Sequence, residues 1–105
     1  MGILDIFKKN DINRGVESCR NTPGAVLIDV RSPEEFADGH IPGSINLPIQ
    51  ALRNAGDHLQ DPETPVFLYC HSGARSSRAA KMLQIMGYAH VTDLGSIGAY
   101  AGKLE

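Results

Sequence analysis

Two runs of consecutive apolar residues mark the chain, Ala25-Val26-Leu27-Ile28 and Val66-Phe67-Leu68-Tyr69. An apolar run without polar alternation suits a parallel strand buried on both faces. The first run ends at Asp29. The second is the strongest strand signal present, and it leaves Cys70 at its carboxyl end. Ser44-Ile45-Asn46-Leu47 and Val91-Thr92-Asp93-Leu94 predict two further strands, and Asp11-Ile12 a brief one near the start.

Between these runs the period changes to that of a helix. Over 76–86, Ala79, Met82, Leu83 and Met86 fall on one face and Arg78, Lys81 and Gln84 on the other, with Gly87 as the stop. Asn13 predicts an N-cap for a helix to about position 20, with Val16 and Cys19 on one face. In Ser32-Pro33-Glu34-Glu35 the serine caps, the proline fits the first helical position, and the acids complement the helix dipole. Gly39 and Pro42 keep that helix short. Positions 48–53 and 96–103 predict two more short helices. Strands alternating with helices predict an α/β fold with a mainly parallel sheet. Ligands of such sheets sit beyond the carboxyl ends of the strands, where Cys70 lies.

The length of 105 residues predicts one domain, 1–105. A domain of this size buries roughly two-thirds of its unfolded surface, so it needs neither metal nor disulfide to fold. A hydrophobic share of 42% argues against disorder, and a net charge of −2 gives no reason to expect nucleic acid or an anionic membrane. The opening residues lack the pattern of a secretory signal, and Ile6 breaks that of myristoylation. Ile3, Leu4, Ile6 and Phe7 are expected to cover an edge of the core rather than to touch a membrane. Two cysteines, Cys19 and Cys70, without a secretion signal point to a reducing, cytoplasmic setting.

Cys70 is where the chemistry concentrates. It stands between a buried strand and a helix N-terminus, followed by His71-Ser72-Gly73-Ala74-Arg75-Ser76. The helix end offers unpaired N–H groups and about half a positive charge. A tight loop through Gly73 can turn successive N–H groups inward as an anion nest. Arg75 adds a full charge and a planar fork for oxyanions. All three favour thiolate over thiol, and the same loop is suited to hold an oxyanion or a persulfide over the sulfur. A buried structural cysteine is the bland alternative. The polar, glycine-containing loop that follows Cys70 argues against it.

Ile28-Asp29-Val30-Arg31, Glu34-Glu35-Phe36 and Gly39-His40-Ile41-Pro42-Gly43-Ser44-Ile45-Asn46, in that order, resemble the first half of the rhodanese domain. Cys70 to Ser76 resembles its active-site loop, and Gly87-Tyr88 through Asp93-Leu94-Gly95 and Ile97 its closing segment. The resemblance runs from about 12 to 100 and leaves 1–10 as an N-terminal extension. It implies a three-layer fold, a central parallel sheet of four to five strands with helices on both faces. It also implies sulfur transfer in two covalent steps. Cys70 takes a sulfane sulfur from thiosulfate or a related small anion, becomes a persulfide, and yields the outer sulfur to cyanide or a thiol, including a protein thiol. The resemblance assigns donor binding to His71, Ser72, Gly73, Ala74, Arg75 and Ser76, and calls for no cofactor.

Two rival activities follow from the same loop. One is a sulfur-delivery partner that hands a persulfide to another protein. The other is a phosphatase-like or arsenate-reducing enzyme, whose loops are one residue longer. Here four residues separate Cys70 from Arg75, and the loop lacks an aspartate to act as general acid. The chain departs from the family's closing Gly-Gly-Ile-x-x-Trp pattern, which reads Gly95-Ser96-Ile97-Gly98-Ala99-Tyr100. The serine predicts an altered turn beside the site.

Asp29 and Arg31 have two readings, contact with the loop or substrate and a buried pair that satisfies loop backbone groups and Glu35; the second is favoured. His40 reads as a structural hydrogen-bonder. His71 either assists Cys70 or is an exposed loop residue. His58 and His90 have no ligand cluster about them, so no metal is expected. Cys19 reads as helix core rather than as a resolving thiol.

Overall fold

The computed structural model describes residues 11–105. The expectation for Ile3, Leu4, Ile6 and Phe7 lies outside them. The first element is a helix, α1 (Ile12–Arg20), and it corrects two expectations. Asp11 is not in a strand, and Asn13 is not the cap. The Asp11 carboxylate accepts the Asn13 N–H at 3.0 Å and so caps the helix itself. Asn13 is turned to the chain's other end, where its amide bonds the Ala99 carbonyl and the Ala101 N–H. Ile12, Val16 and Cys19 make the buried stripe.

Then follow β1 (Val26–Asp29), α2 (Pro33–Asp38), β2 (Ile45–Asn46), a 3₁₀ segment (Ile49–Asp57), β3 (Val66–Cys70), α3 (Ala74–Ile85), β4 (Val91–Ser96) and a second 3₁₀ turn (Ile97–Ala99). The four strands form one parallel sheet in the order β2-β1-β3-β4. All five residues of β3 are buried, as the unbroken apolar run requires.

Successive β3 side chains point to opposite faces and so join two cores. Val66, Leu68 and Cys70 pack with Leu52, Ala55, Leu59, Ala79 and Leu83, under α3 and the first 3₁₀ segment. Phe67 and Tyr69 pack with Ile12, Val16, Cys19 and Leu94, under α1. The result is three layers, with helices on both faces of the sheet. Each fully buried leucine among them contributes roughly 1.5–3 kcal/mol by removal from water.

Three further helices differ from their predicted form, and the one expected over 48–53 is the longer 3₁₀ segment Ile49–Asp57. α3 begins at Ala74, not Ser76, because Gly73 takes the N-cap. Its buried face is Ser76, Ala79, Ala80 and Leu83, and Met86, the C-cap, lies outside it, 43% exposed. Ala79 and Ala80 are small enough to seat the helix close to β3. The predicted helix over 96–103 shrinks to the single turn Ile97–Ala99 because Tyr100 is extended. The chain then runs back to His40, which exchanges two backbone hydrogen bonds with Glu105. No helix among the described residues is long and apolar enough to cross a membrane.

Candidate active site

The carboxyl end of β3 delivers Cys70 beneath the loop that opens α3. The Cys70 side chain is fully buried. The Gly73 N–H donates to its Sγ at 2.8 Å. The thiol in turn donates to the Ser76 hydroxyl at 3.4 Å, and that hydroxyl donates to the Gly73 carbonyl at 3.2 Å. Gly73 has φ +95°, and a Cβ there meets nothing within 4 Å. Its left-handed backbone, not lack of room, therefore demands glycine. This turn folds the chain back over Cys70 and aims the amino end of α3 at the sulfur, where the dipole favours negative charge.

Arg75 sits in the first turn of α3 and does not hang free. Its guanidinium forks onto Glu35, with bonds of 2.7 and 2.9 Å to the two carboxylate oxygens. Glu35 also accepts the Ser32 N–H at 2.9 Å, while the Ser32 hydroxyl accepts the Glu35 N–H at 3.2 Å, closing a capping box. The Arg75 bonds first, and the Ser32 N–H second, hold the Glu35 carboxyl at about 2. Glu35 thus ties the start of α2 to the start of α3. Its helix-start role is legible from Ser32-Pro33-Glu34-Glu35. Its partner, 40 residues away, is not.

Asp29 and Arg31 meet each other rather than Cys70. Asp29 is fully buried and accepts the Arg31 side chain at 2.7 and 3.0 Å and the Arg31 backbone N–H at 2.9 Å. Arg31 also donates to the Gly39 carbonyl at 2.6 Å. The Asn46 amide donates to the carbonyls of Asp29 and Arg31, at 3.1 and 2.9 Å. Together these bonds brace the end of β1 and the approach to β2. Tyr69, the register partner of Asp29, lies on the same face, with the Arg31 guanidinium 5.9 Å from its ring centre; its hydroxyl accepts the Ile41 N–H at 3.1 Å and meets Ser44 at 3.0 Å, and burial pushes it up to about 12.

The histidines separate in space. His71 is exposed beside Cys70, and its carbonyl accepts the Ser96 hydroxyl. The His40 ring stacks on Phe36 at 3.7 Å and bonds the Phe36 carbonyl at 2.9 Å, a structural placement. His90 pairs with Glu63 on the exposed surface. Among the described residues, no three His, Cys, Asp or Glu side chains converge as a metal site. Cys19 belongs to the core on the opposite face of the sheet from Cys70, and burial pushes its thiol up. Both cysteines are free.

A family model described as a rhodanese-like domain matches residues 14–103. The chain belongs to the rhodanese-like domain family. Among its relatives is the thiosulfate sulfurtransferase PspE of Escherichia coli, 35% identical over 71 residues, which are 67% of this chain and 68% of that protein. An uncharacterized Bacillus subtilis protein, YqhL, is 39% identical over 82 residues, 77% of this chain. This chain spans 64% of that relative's length. A solved rhodanese with anions from Escherichia coli superposes with a TM-score of 0.72 at 32% identity, covering 77% of this chain and 96% of that one. The rhodanese fold expected from the motifs is therefore the fold observed.

Proposed function

We propose that this rhodanese-family chain is a sulfurtransferase that moves a sulfane sulfur from thiosulfate or a similar small anion to a thiophilic acceptor through a Cys70 persulfide. The observation that carries this reading is the Gly73 N–H on Cys70 Sγ at the amino end of α3. That arrangement stabilises negative charge on sulfur in both the thiolate and the persulfide. The names of the relatives, thiosulfate sulfurtransferase and sulfurtransferase, support the same reaction class.

In the first step the Cys70 thiolate attacks the outer sulfur of thiosulfate. A sulfur–sulfur bond forms at Sγ, the donor's own sulfur–sulfur bond breaks, and sulfite leaves with the bonding pair. The thiol proton passes to solvent beforehand, and the Ser76 hydroxyl, relieved of the S–H, is free to turn its own proton to the sulfur. In the second step a thiolate or cyanide attacks the outer sulfur. The Cys70 thiolate leaves, and the product is a new persulfide or thiocyanate.

The N–H groups of the 71–76 loop bind the anion, and Arg75 supplies charge from beside it, oriented by Glu35. Asp29 and Arg31 have a supporting part only, holding the end of β1 beside the strand that carries Cys70. No cofactor takes part, and a small donor and a thiol or cyanide, including a protein thiol, are the partners. A reducing, cytoplasmic setting suits a reaction that needs Cys70 as a free thiol.

Steady-state assays with thiosulfate and either cyanide or a dithiol test the proposal. Turnover by the wild type and none by Cys70→Ser is the expected result. Stoichiometric persulfide without turnover would instead make the chain a delivery partner, and the absence of both persulfide and turnover would overturn sulfur transfer.

A further inference from the structure

Ser96 is the register partner of Cys70 across the β3–β4 pair. A bulge places it there. Leu68 pairs with Asp93 but Tyr69 with Gly95, so β4 carries one extra residue, Leu94. Gly95 absorbs the kink at φ +86°, and its N–H bonds the Asp93 carboxylate at 2.9 Å.

The Ser96 hydroxyl has two partners. It accepts the Gly98 N–H at 3.0 Å and donates to the His71 carbonyl. The polarity is fixed, because the N–H and the carbonyl can each play one part only. The bond to His71 reaches the first peptide unit of the loop after the nucleophile. That peptide is trans, so holding its carbonyl toward β4 turns the Ser72 N–H the opposite way. The Ser72 N–H finds no acceptor among the described residues. It is a spare donor, one residue before the N–H already on Sγ.

We propose that Ser96 is a positioning residue: by holding the His71 carbonyl it presents the Ser72 N–H to the anion bound over Cys70. This rests on the sulfur-transfer reading for its substrate but not for its geometry. A glycine here, as in the rhodanese pattern, would have no side chain to make the bond.

The test uses Ser96→Ala, Ser96→Gly and Ser96→Thr, the last keeping the hydroxyl. Two measurements are made on each: the thiosulfate KM and kcat, and the sulfate concentration that half-protects Cys70 from iodoacetamide. Ser96→Ala and Ser96→Gly should raise KM and the half-protecting concentration by about fivefold, the scale of one lost hydrogen bond. The kcat should fall less, and Ser96→Thr should restore both values. Unchanged protection in Ser96→Ala, or no rescue by Ser96→Thr, overturns the latch. An inactive wild type whose protection still shifts in Ser96→Ala overturns sulfur transfer and leaves the latch standing.

Discussion

Arg75 and Glu35 join the two helices that flank the site through a bidentate ion pair with bonds of 2.7 and 2.9 Å. The guanidinium therefore contributes charge to the loop while part of its fork is engaged by Glu35. Arg75→Ala should weaken donor binding by about 1.5–3 kcal/mol, the range for a hydrogen bond to a charged group. Arg75→Lys keeps the charge but loses the fork and should fall between. Glu35→Gln keeps the guanidinium and should raise the thiosulfate KM less than Arg75→Ala. Measuring KM and Cys70 alkylation on the same variants checks this. Equal losses in both would assign Arg75 to holding the loop's shape instead of binding the donor.

The same pair sets an acid dependence of stability. Glu35 sits at about 2 when folded, below the ordinary 4.5, chiefly because Arg75 bonds it. A carboxyl lowered by folding stabilises the native state above its unfolded value and loses that contribution as it is protonated. Stability from Glu35 should therefore be full above about pH 4.5 and fade from there down toward pH 2. The pair is about one-third exposed, so the effect is modest. Urea unfolding of wild type and Glu35→Gln across this range should converge in acid. A gap that stays constant from neutral pH to pH 2 would contradict the assignment.

Asp29 carries a larger share of stability. It is fully buried, and its charge is met by Arg31, which is 7% exposed at the side chain. Asp29→Ala leaves that guanidinium without its countercharge and should cost about 3–5 kcal/mol. A shift of the urea midpoint reads the loss directly. A change under 1 kcal/mol would mean that solvent reaches Arg31 and replaces the carboxylate.

The four strands of the sheet, and the place of Cys70 at the end of one of them, were legible from local sequence, because the apolar runs of β1 and β3 suit buried parallel strands, whereas Asp11-Ile12 opens a helix instead of a strand. The α2 cap was equally plain, since Ser32, Pro33 and Glu35 act within one turn. What escaped were partnerships at long range. Asn13 looked like a cap because local pattern does not show that Ala99 and Ala101 compete for its side chain. Arg75 looked free for the donor because Glu35 lies 40 residues away. Ser96 stood out as a departure from the rhodanese pattern, yet its bond to His71 depends on a bulge that no periodicity announces. The two-residue shift of the α3 start likewise comes from the left-handed Gly73, and Met86 leaves the buried face because α3 ends at Ile85.

The central claim is that Cys70 carries sulfur. Mass spectrometry of the protein after incubation with thiosulfate and removal of excess donor tests it most directly. One added sulfur atom, mapped to the peptide containing Cys70, lost on treatment with cyanide and absent from Cys70→Ser but present in Cys19→Ser, is the predicted result. No added sulfur, or an added sulfur that survives in Cys70→Ser, would contradict it.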